Sequence, residues 1–252
     1  MKSAAVPITV AILTHRHDER FKQAVASAQP AKEVLIIDFD SKNNWQALKK
    51  QWHFKKMARR GTIKNFSAER NAALKKAKYD WVLFLDSDET IEKQSWPLSE
   101  SLIREPELEG VFVRRRDVFY GRTLRFGETG NVWLLRLMKK TAAKFVRPVH
   151  EVAEISGNTR QARIFLKHFA HSTIKEFIDD LTQYARIEAE YQQDGRLPTW
   201  LLAIKTVVYP KAKFLQNYFF RFGFLDGWRG LVYAIMMSFH SLFVRVFSYE
   251  NR

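Results

Sequence analysis

The sequence predicts an α/β protein, built on a mostly parallel sheet with helices on both faces and extended at the C-terminus by a helical region. Three observations predict it. Residues 8–85 alternate short β-branched or apolar runs with amphipathic ones, an order β-α-β-α-β-α-β that implies a doubly wound sheet with right-handed crossovers. Two of the predicted strands run into acids, Asp38 and Asp86, which such a sheet brings to one rim. Residues 200–250 then change character, packing aromatics among spaced cations with Asp226 and Glu250 as the only acids.

The elements follow in order. Residues 8–14 alternate β-branched and apolar side chains and read as the first strand. Asp18 caps a helix that carries Phe21, Ala24, Val25 and Ala28 on one face and ends at Pro30. Residues 33–37 form the second strand, followed by Asp38-Phe39-Asp40-Ser41. Residues 43–57 read as a helix with Trp45, Leu48 and Trp52 inward, and Thr62-Ile63 as a short third strand. Residues 67–78 are helical, with Ala68, Asn71, Ala72 and Ala77 near one stripe. Residues 81–85, Trp-Val-Leu-Phe-Leu, are apolar throughout, as a strand covered on both faces must be.

That strand stops at Asp86-Ser87-Asp88-Glu89. Acids beyond the carboxyl end of a parallel strand can hold a divalent cation against a substrate phosphate. The alternative is that they cap a following helix. Neither G-x-G-x-x-G nor G-x-x-x-x-G-K-[ST] occurs, which argues against a dinucleotide dehydrogenase and a P-loop NTPase. Without a glycine cradle, a diphosphate needs a cation and basic side chains such as Arg70.

The bulk numbers agree. The chain has 252 residues and is 46% hydrophobic, enough for one large domain or one domain with an appendage. With 42 basic and 27 acidic residues it carries a formal charge of +15, which must face nucleic acid, anionic lipid or phosphorylated substrates. No recognisable nucleic-acid module accompanies that charge, so no nucleic-acid partner is expected. There is no cysteine, hence neither a disulfide framework nor a cysteine metal site. The apolar run from Lys2 to Leu13 leads straight into His15-Arg16-His17 with no small-residue cleavage site, so it reads as a strand and not a leader.

Three stretches resemble the family-two glycosyltransferases of GT-A (Rossmann-like) fold. Residues 8–16 (ITVAILTHR) look like that family's first strand and nucleotide-facing turn. Residues 33–41 (EVLIIDFDS) look like its second strand with a nucleotide-binding Asp. Residues 67–89 (SAERNAALKKAKYDWVLFLDSDE) look like its Arg-Asn helix leading into the D-x-D motif. Beyond these, residues 111–120, 133–137 and Val149-His150-Glu151, with the segments 171–191 and 224–243, are similar to the lipopolysaccharide-core-type glucosyltransferase subgroup. Two positions depart from the family pattern. Arg16 replaces the usual Asn, and the acidic run after the second strand is shortened to Asp38-Phe39-Asp40-Ser41-Lys42-Asn43.

The resemblance implies a transferase domain over residues 1–172, followed by a helical region over 173–252 whose basic and aromatic bias reads as membrane-associating. It implies inverting transfer of a hexose from a nucleotide-sugar, a UDP-sugar foremost, to a lipid-linked or lipopolysaccharide acceptor of the cell envelope. One carboxylate base then suffices, and a divalent cation, Mg²⁺ or Mn²⁺, neutralises the leaving group. Glu151 is the expected base, with His150 orienting it or touching a phosphate. Asp88 is the expected metal ligand, and Asp86 shares the metal or contacts the ribose. Asp38 and Arg70 serve the nucleotide, and Thr14 and Arg16 line the first turn. Trp133 and Arg136 are assigned to the acceptor, although Arg136 equally suits a structural ion pair. Glu128 is a rival base or acceptor contact.

His168 and His171 stand three apart, but a strand over residues 164–170 would turn them to opposite faces, and Thr173-x-x-Glu176 is a capping box for the next helix. Both histidines therefore read as structural. Arg114-Arg115-Arg116 alternates faces on a predicted strand. In the tail, the uncharged stretch 230–244 has 15 residues between Arg229 and Arg245, short of the roughly 20 a spanning helix needs. It reads as interfacial helices on an anionic leaflet, which would place the protein on the inner face of the cytoplasmic membrane. Packing on the catalytic domain or a second subunit is the alternative. Two other functions remain open. Asp86-Ser87-Asp88-Glu89-Thr90 also fits the D-x-D-x-T motif of haloacid-dehalogenase-type phosphatases, though two or three strands precede it where none should. A non-catalytic basic membrane-binding protein is the second.

Overall fold

A computed structural model describes residues 5–15, 17–39, 45–58, 65–146, 152–171, 173–192 and 197–250. The chain forms two compact units. One is Met1–Arg115 with Trp133–His168, and the other is Arg116–Val132 with Phe169–Arg252.

The first unit begins with β1 (Val6–Thr14), α1 (Glu19–Ser27) and β2 (Ala31–Asp38). It continues through α2 (Trp45–Gln51), β3 (Lys55–Ala58), α3 (Phe66–Lys76) and β4 (Trp81–Asp86). Strands β2 and β4 flank β1, and all three run parallel, with Leu13 aligned to Asp86 and Thr14 to Asp38. The sheet order β3-β2-β1-β4 means the chain winds outward through β2 and β3, then returns to the far side of β1. The winding direction therefore reverses between β1 and β4, the place where such sheets open a crevice for ligands.

The predicted cap is present: Asp18 accepts from the Phe21 N–H at 3.0 Å and starts α1. The helix expected over residues 43–57 is shorter. It ends at Gln51, and residues 55–58 pair in parallel with β2 instead. Sheet pairing outweighs helix propensity here, since Lys55 reaches Glu33 at 2.9 Å and Lys56 reaches Asp38 at 3.1 Å. Both lysines sit on the sheet's edge strand, where charge discourages further pairing. The third strand is thus Lys55–Ala58; Thr62-Ile63, where it was expected, lies outside the described residues.

The acids after β4 do not cap a helix. They lead into β5 (Glu89–Ile91), and α4 (Ser95–Leu102) comes later. Then follow β6 (Leu108–Phe119), β7 (Arg122–Thr123), β8 (Val132–Lys139), the hairpin β9 (Ala143–Val146) and β10 (Val152–Ile155), and β11 (Asn158–His168). The full sheet order is β3-β2-β1-β4-β8-β6-β11-β5, with β4–β8 and β11–β5 antiparallel.

Alternate side chains of the central strands feed two cores. On one face Ile8, Val10, Ile12, Val34, Ile36, Leu83 and Leu85 pack with Phe21, Val25, Trp45, Leu48 and Trp96 of α1, α2 and α4. On the other, Ala11, Leu13, Leu35, Ile37, Val82 and Phe84 pack with Ala73 and Leu74 of α3 and Phe145 of β9.

The second unit is mainly helical: α5 (Ile174–Gln192), α6 (Thr199–Leu215) and α7 (Trp228–Glu250). Thr173 caps α5, accepting from the Glu176 N–H at 3.1 Å as the capping box predicts. A π-helical turn, Gln216–Phe220, and a 3₁₀ turn, Gly223–Asp226, join α6 to α7. Phe119, Leu124, Phe177, Leu181 and Met236 form its main core, and Ala185, Ala189 and Val244 a smaller one. Helix α7 runs 23 residues with mean hydropathy 1.5, long and apolar enough to cross a membrane.

Candidate active site

The site is built on the carboxyl ends of β1, β2 and β4. Asp86 is the last residue of β4 and continues the Val82–Phe84 face, so its carboxylate turns toward α3. There Arg70 Nη2 donates to Asp86 Oδ1 at 3.0 Å. Arg136, from β8, donates Nη2 to Asp86 Oδ2 and approaches Oδ1 with Nη1 at 3.4 Å. Burial alone would push the Asp86 carboxyl up, but the Arg136 and Arg70 guanidiniums outweigh it and hold it well below the usual carboxylate range.

Arg70 is itself locked. Its guanidinium lies over the Phe84 ring at 5.2 Å and the Phe145 ring at 5.6 Å, and the residue is nearly buried. Asn65 caps its helix, accepting from the Ala68 N–H at 2.9 Å. The next residue, Asn71, makes two bonds to one partner: Nδ2 donates to Phe145 O at 2.8 Å and Oδ1 accepts from Phe145 N at 2.9 Å. The Arg-Asn pair of the helix therefore ties two pieces together, the acid turn through Arg70 and the β9–β10 hairpin through Asn71.

Asp88 is as exposed as Asp86, with its side chain 34% accessible, but its Oδ2 faces an imidazole, His168 Nε2 at 3.7 Å. Burial and the Asp86 charge oppose its ionisation, yet the His168 imidazole outweighs them and keeps it below its ordinary value. Glu89 is fully buried. It accepts from the Asp86 N–H at 3.1 Å, and Arg136 Nη2 stands 3.4 Å from its Oε1. Burial, aided by the Asp86 charge, raises its carboxyl despite Arg136.

Sequence reasoning placed Glu89 in the acid run without a role of its own, and read His168 as structural. The adjacency of Glu89 to the D-x-D motif was the available signal for the first. For His168 no local signal exists, because β11 reaches the acid turn only by pairing His168 with Glu89 in the antiparallel β11–β5 ladder. His171 goes elsewhere: it stacks on Phe177 at 4.0 Å and stands 3.3 Å from Asp180.

Asp38 shares the rim but faces the other side of the sheet. It continues the Val34–Ile36 face and accepts from Trp45 Nε1 at 3.0 Å, with Lys56 Nζ at 3.1 Å and His17 Nε2 at 3.9 Å. Its carboxylate is only 1% exposed. Thr14, buried at the end of β1, stands beside it in register. Trp133 carries the Arg114 guanidinium over its ring at 5.9 Å. Glu128, in the second unit, pairs with Lys213 Nζ at 2.6 Å and with Asn217 Nδ2 at 3.3 Å. Arg16, His150 and Glu151 lie outside the described residues. Val146 and Val152, which bracket residues 147–151, are paired with each other in the β9–β10 hairpin.

As a cation site, this arrangement offers one carboxylate and one imidazole, donors that suit Mg²⁺ or Mn²⁺ only with help from a ligand's own oxygens. Both Asp86 oxygens already lie on guanidiniums. Among the described residues no group of three or more His, Asp or Glu is arranged to hold a metal.

Residues 9–164, which contain every piece of the site described above except His168, match the family model for glycosyl transferase family 2. A TPR repeat-containing protein of Synechococcus elongatus is 25% identical over 156 residues, 61% of this chain and 37% of that protein. The chain thus spans well under half the length of that curated relative. S. aureus TarS 1–349 shares the fold at 13% identity and a TM-score of 0.50, over 98% of this chain and 91% of that one. The same protein in complex with UDP-GlcNAc gives 15% identity and a TM-score of 0.51, over 98% and 92%. The fold is of GT-A type, and the chain is a glycosyltransferase that belongs to glycosyl transferase family 2.

Proposed function

We propose that this glycosyltransferase moves a hexose, with inversion, from a UDP-sugar to a lipid-linked or lipopolysaccharide-type acceptor at the inner face of the cytoplasmic membrane. The observation that carries the proposal is the turn beyond β4. There Asp86 is locked between the guanidiniums of Arg70 and Arg136, while the Asp88 carboxylate lies beside the His168 imidazole. Family membership and the UDP and UDP-GlcNAc complexes of TarS support a nucleotide-sugar donor.

The acceptor hydroxyl attacks the anomeric carbon as the nucleoside diphosphate departs, and one base removes the hydroxyl proton. Glu151 is the base we assign, with His150 beside it in sequence. Thr14, Arg16 and Asp38 serve the nucleoside, and Arg70 the phosphates. A divalent cation held by Asp88 and His168 would supply positive charge to the leaving diphosphate. Asp86 acts by fixing the turn and the two guanidiniums. Trp133 is the acceptor contact we assign, while Arg136 and Glu128 are engaged with Asp86 and Lys213. The helical unit, with its exposed aromatics and spaced cations, is the part we place on the anionic leaflet.

Calorimetric binding of UDP and UDP-glucose, with and without Mn²⁺, to wild type and Asp88→Ala tests this. Metal-dependent binding that disappears in the variant supports the site. Binding to a different nucleotide alone changes the donor. Absence of any nucleotide binding, alongside a phosphatase activity lost in Asp86→Asn, overturns the proposal.

A further inference from the structure

We infer that the turn between α6 and α7 is an insertion tip that enters the hydrocarbon edge of an anionic leaflet, with the flanking cations at phosphate depth. The inference rests on the membrane placement proposed above and says which segment enters and how it is held. Phe219, Phe220, Phe222, Phe224, Leu225 and Trp228 are 43–77% exposed, with Phe220 at the top of that range. With roughly 100 Å² each, they present on the order of 600 Å² of apolar surface, at the upper limit of what a soluble monomer leaves uncovered. These six lie within ten consecutive residues, not scattered singly over the surface.

The turn is pinned from behind. The one acid between residues 200 and 249, Asp226, is turned inward, and its carboxylate accepts from the Arg125 N–H at 3.0 Å and the Phe126 N–H at 3.0 Å. The Gly127 N–H donates to Arg221 O at 2.9 Å. At the base, Gly230 meets the Gly223 carbonyl so closely that a Cβ would stand 1.9 Å from its oxygen. Phe222 takes φ 57°, a left-handed backbone that a bulky residue adopts only where its surroundings impose it. A loop stapled at its base, with its aromatics outward, loses little conformational freedom on insertion.

Charge selects the occupant. Arg221 stands among the aromatics and Arg229 just after them, Lys205 and Lys211 lie on the preceding helix α6, and the Arg229 guanidinium lies over the Trp228 ring at 4.6 Å. Guanidinium and ammonium groups beside aromatic side chains suit lipid phosphates at headgroup depth. A protein partner with an acidic rim is the competing occupant, and the test below distinguishes it.

The chain has no cysteine, so single labels are unambiguous. Phe220→Cys, Leu225→Cys, Val208→Cys and Glu190→Cys, each carrying an environment-sensitive fluorophore, are mixed with phosphatidylethanolamine–phosphatidylglycerol vesicles. The inference expects labels at 220 and 225 to shift blue and become shielded from aqueous iodide, while the label at 190 stays in water. Arg221→Gln and Lys211→Gln should each weaken partition about fivefold on anionic vesicles and hardly at all on zwitterionic ones. Vesicle binding with 220 and 225 still in water and 208 shielded overturns the tip and keeps the membrane placement. No vesicle binding by the full chain overturns both, while the donor-binding result above stands apart from either.

Discussion

Replacing Arg136 with methionine removes the cation shared by Asp86 and Glu89 while keeping most of the side chain's apolar bulk. Asp86 keeps Arg70 at 3.0 Å and is about a third exposed, so solvent screens much of its loss; about 1 kcal/mol is expected there. Glu89 has no exposure, and without Arg136 it keeps the Asp86 N–H and the more distant His168 imidazole. Stripping a buried carboxylate of its cation costs about 3–5 kcal/mol by precedent, but burial already raises the Glu89 carboxyl, so proton uptake relieves part of this and about 1–3 kcal/mol is expected. The variant should therefore lose about 2–4 kcal/mol, read as a lower urea midpoint at unchanged slope. Glu89→Gln in the same background removes the stranded charge. A double-mutant cycle should then return a coupling of about 2 kcal/mol. A loss below about 1 kcal/mol in the single variant, or additive losses in the cycle, would refute the claim that Arg136 braces the acid turn.

Three further outcomes are expected. Asn71→Ala removes both bonds to Phe145 and should cost about 1–3 kcal/mol; hydrogen exchange should speed up along β9 and β10 before it does in β1 or β2. Glu33 is pushed up by burial, but Thr9, Lys55 and the Lys78 N–H outweigh this and lower it from 4.5. Its contribution is therefore complete above pH 4.5 and lost as pH falls through the lowered value. Glu33→Gln should lose about 1–3 kcal/mol at neutral pH and show a shallower acid limb in pH-dependent denaturation. Asp226→Ala frees the Arg125 and Phe126 N–H groups, and their exchange should accelerate while donor binding is unchanged.

Much of the sheet was legible because its signals are local. Trp81–Asp86 is apolar until its acid, Asp18 stands where a cap belongs, and the alternation of strands and helices fixes parallel pairing. The shortened α2 and the shifted β3 were not legible, since Lys55 and Lys56 earn their strand conformation from Glu33 and Asp38 across the sheet. The site divides in the same way. Asp38, Arg70, Asp86 and Asp88 could be found from strand ends and motif spacing. That Arg136 grips Asp86, or that His168 meets Asp88, depends on β8 and β11 crossing to the acid turn from residues 50 to 80 positions away. Pairings at that separation leave no periodicity to read.

The opposed aim of Asp38 and Asp86 has a consequence for selectivity. Their strands, β2 and β4, are separated by β1, a span of about 10 Å, and their carboxylates point to opposite faces of the sheet. A molecule that touches both must pass over the sheet's edge. If the proposed nucleotide-sugar binds here, the rim acts as a ruler: a free sugar phosphate would stay on one side, whereas a nucleoside joined to a second group through two phosphates would be long enough to straddle it. On that reading length, as much as any single contact, would separate a nucleotide-sugar from a free sugar phosphate.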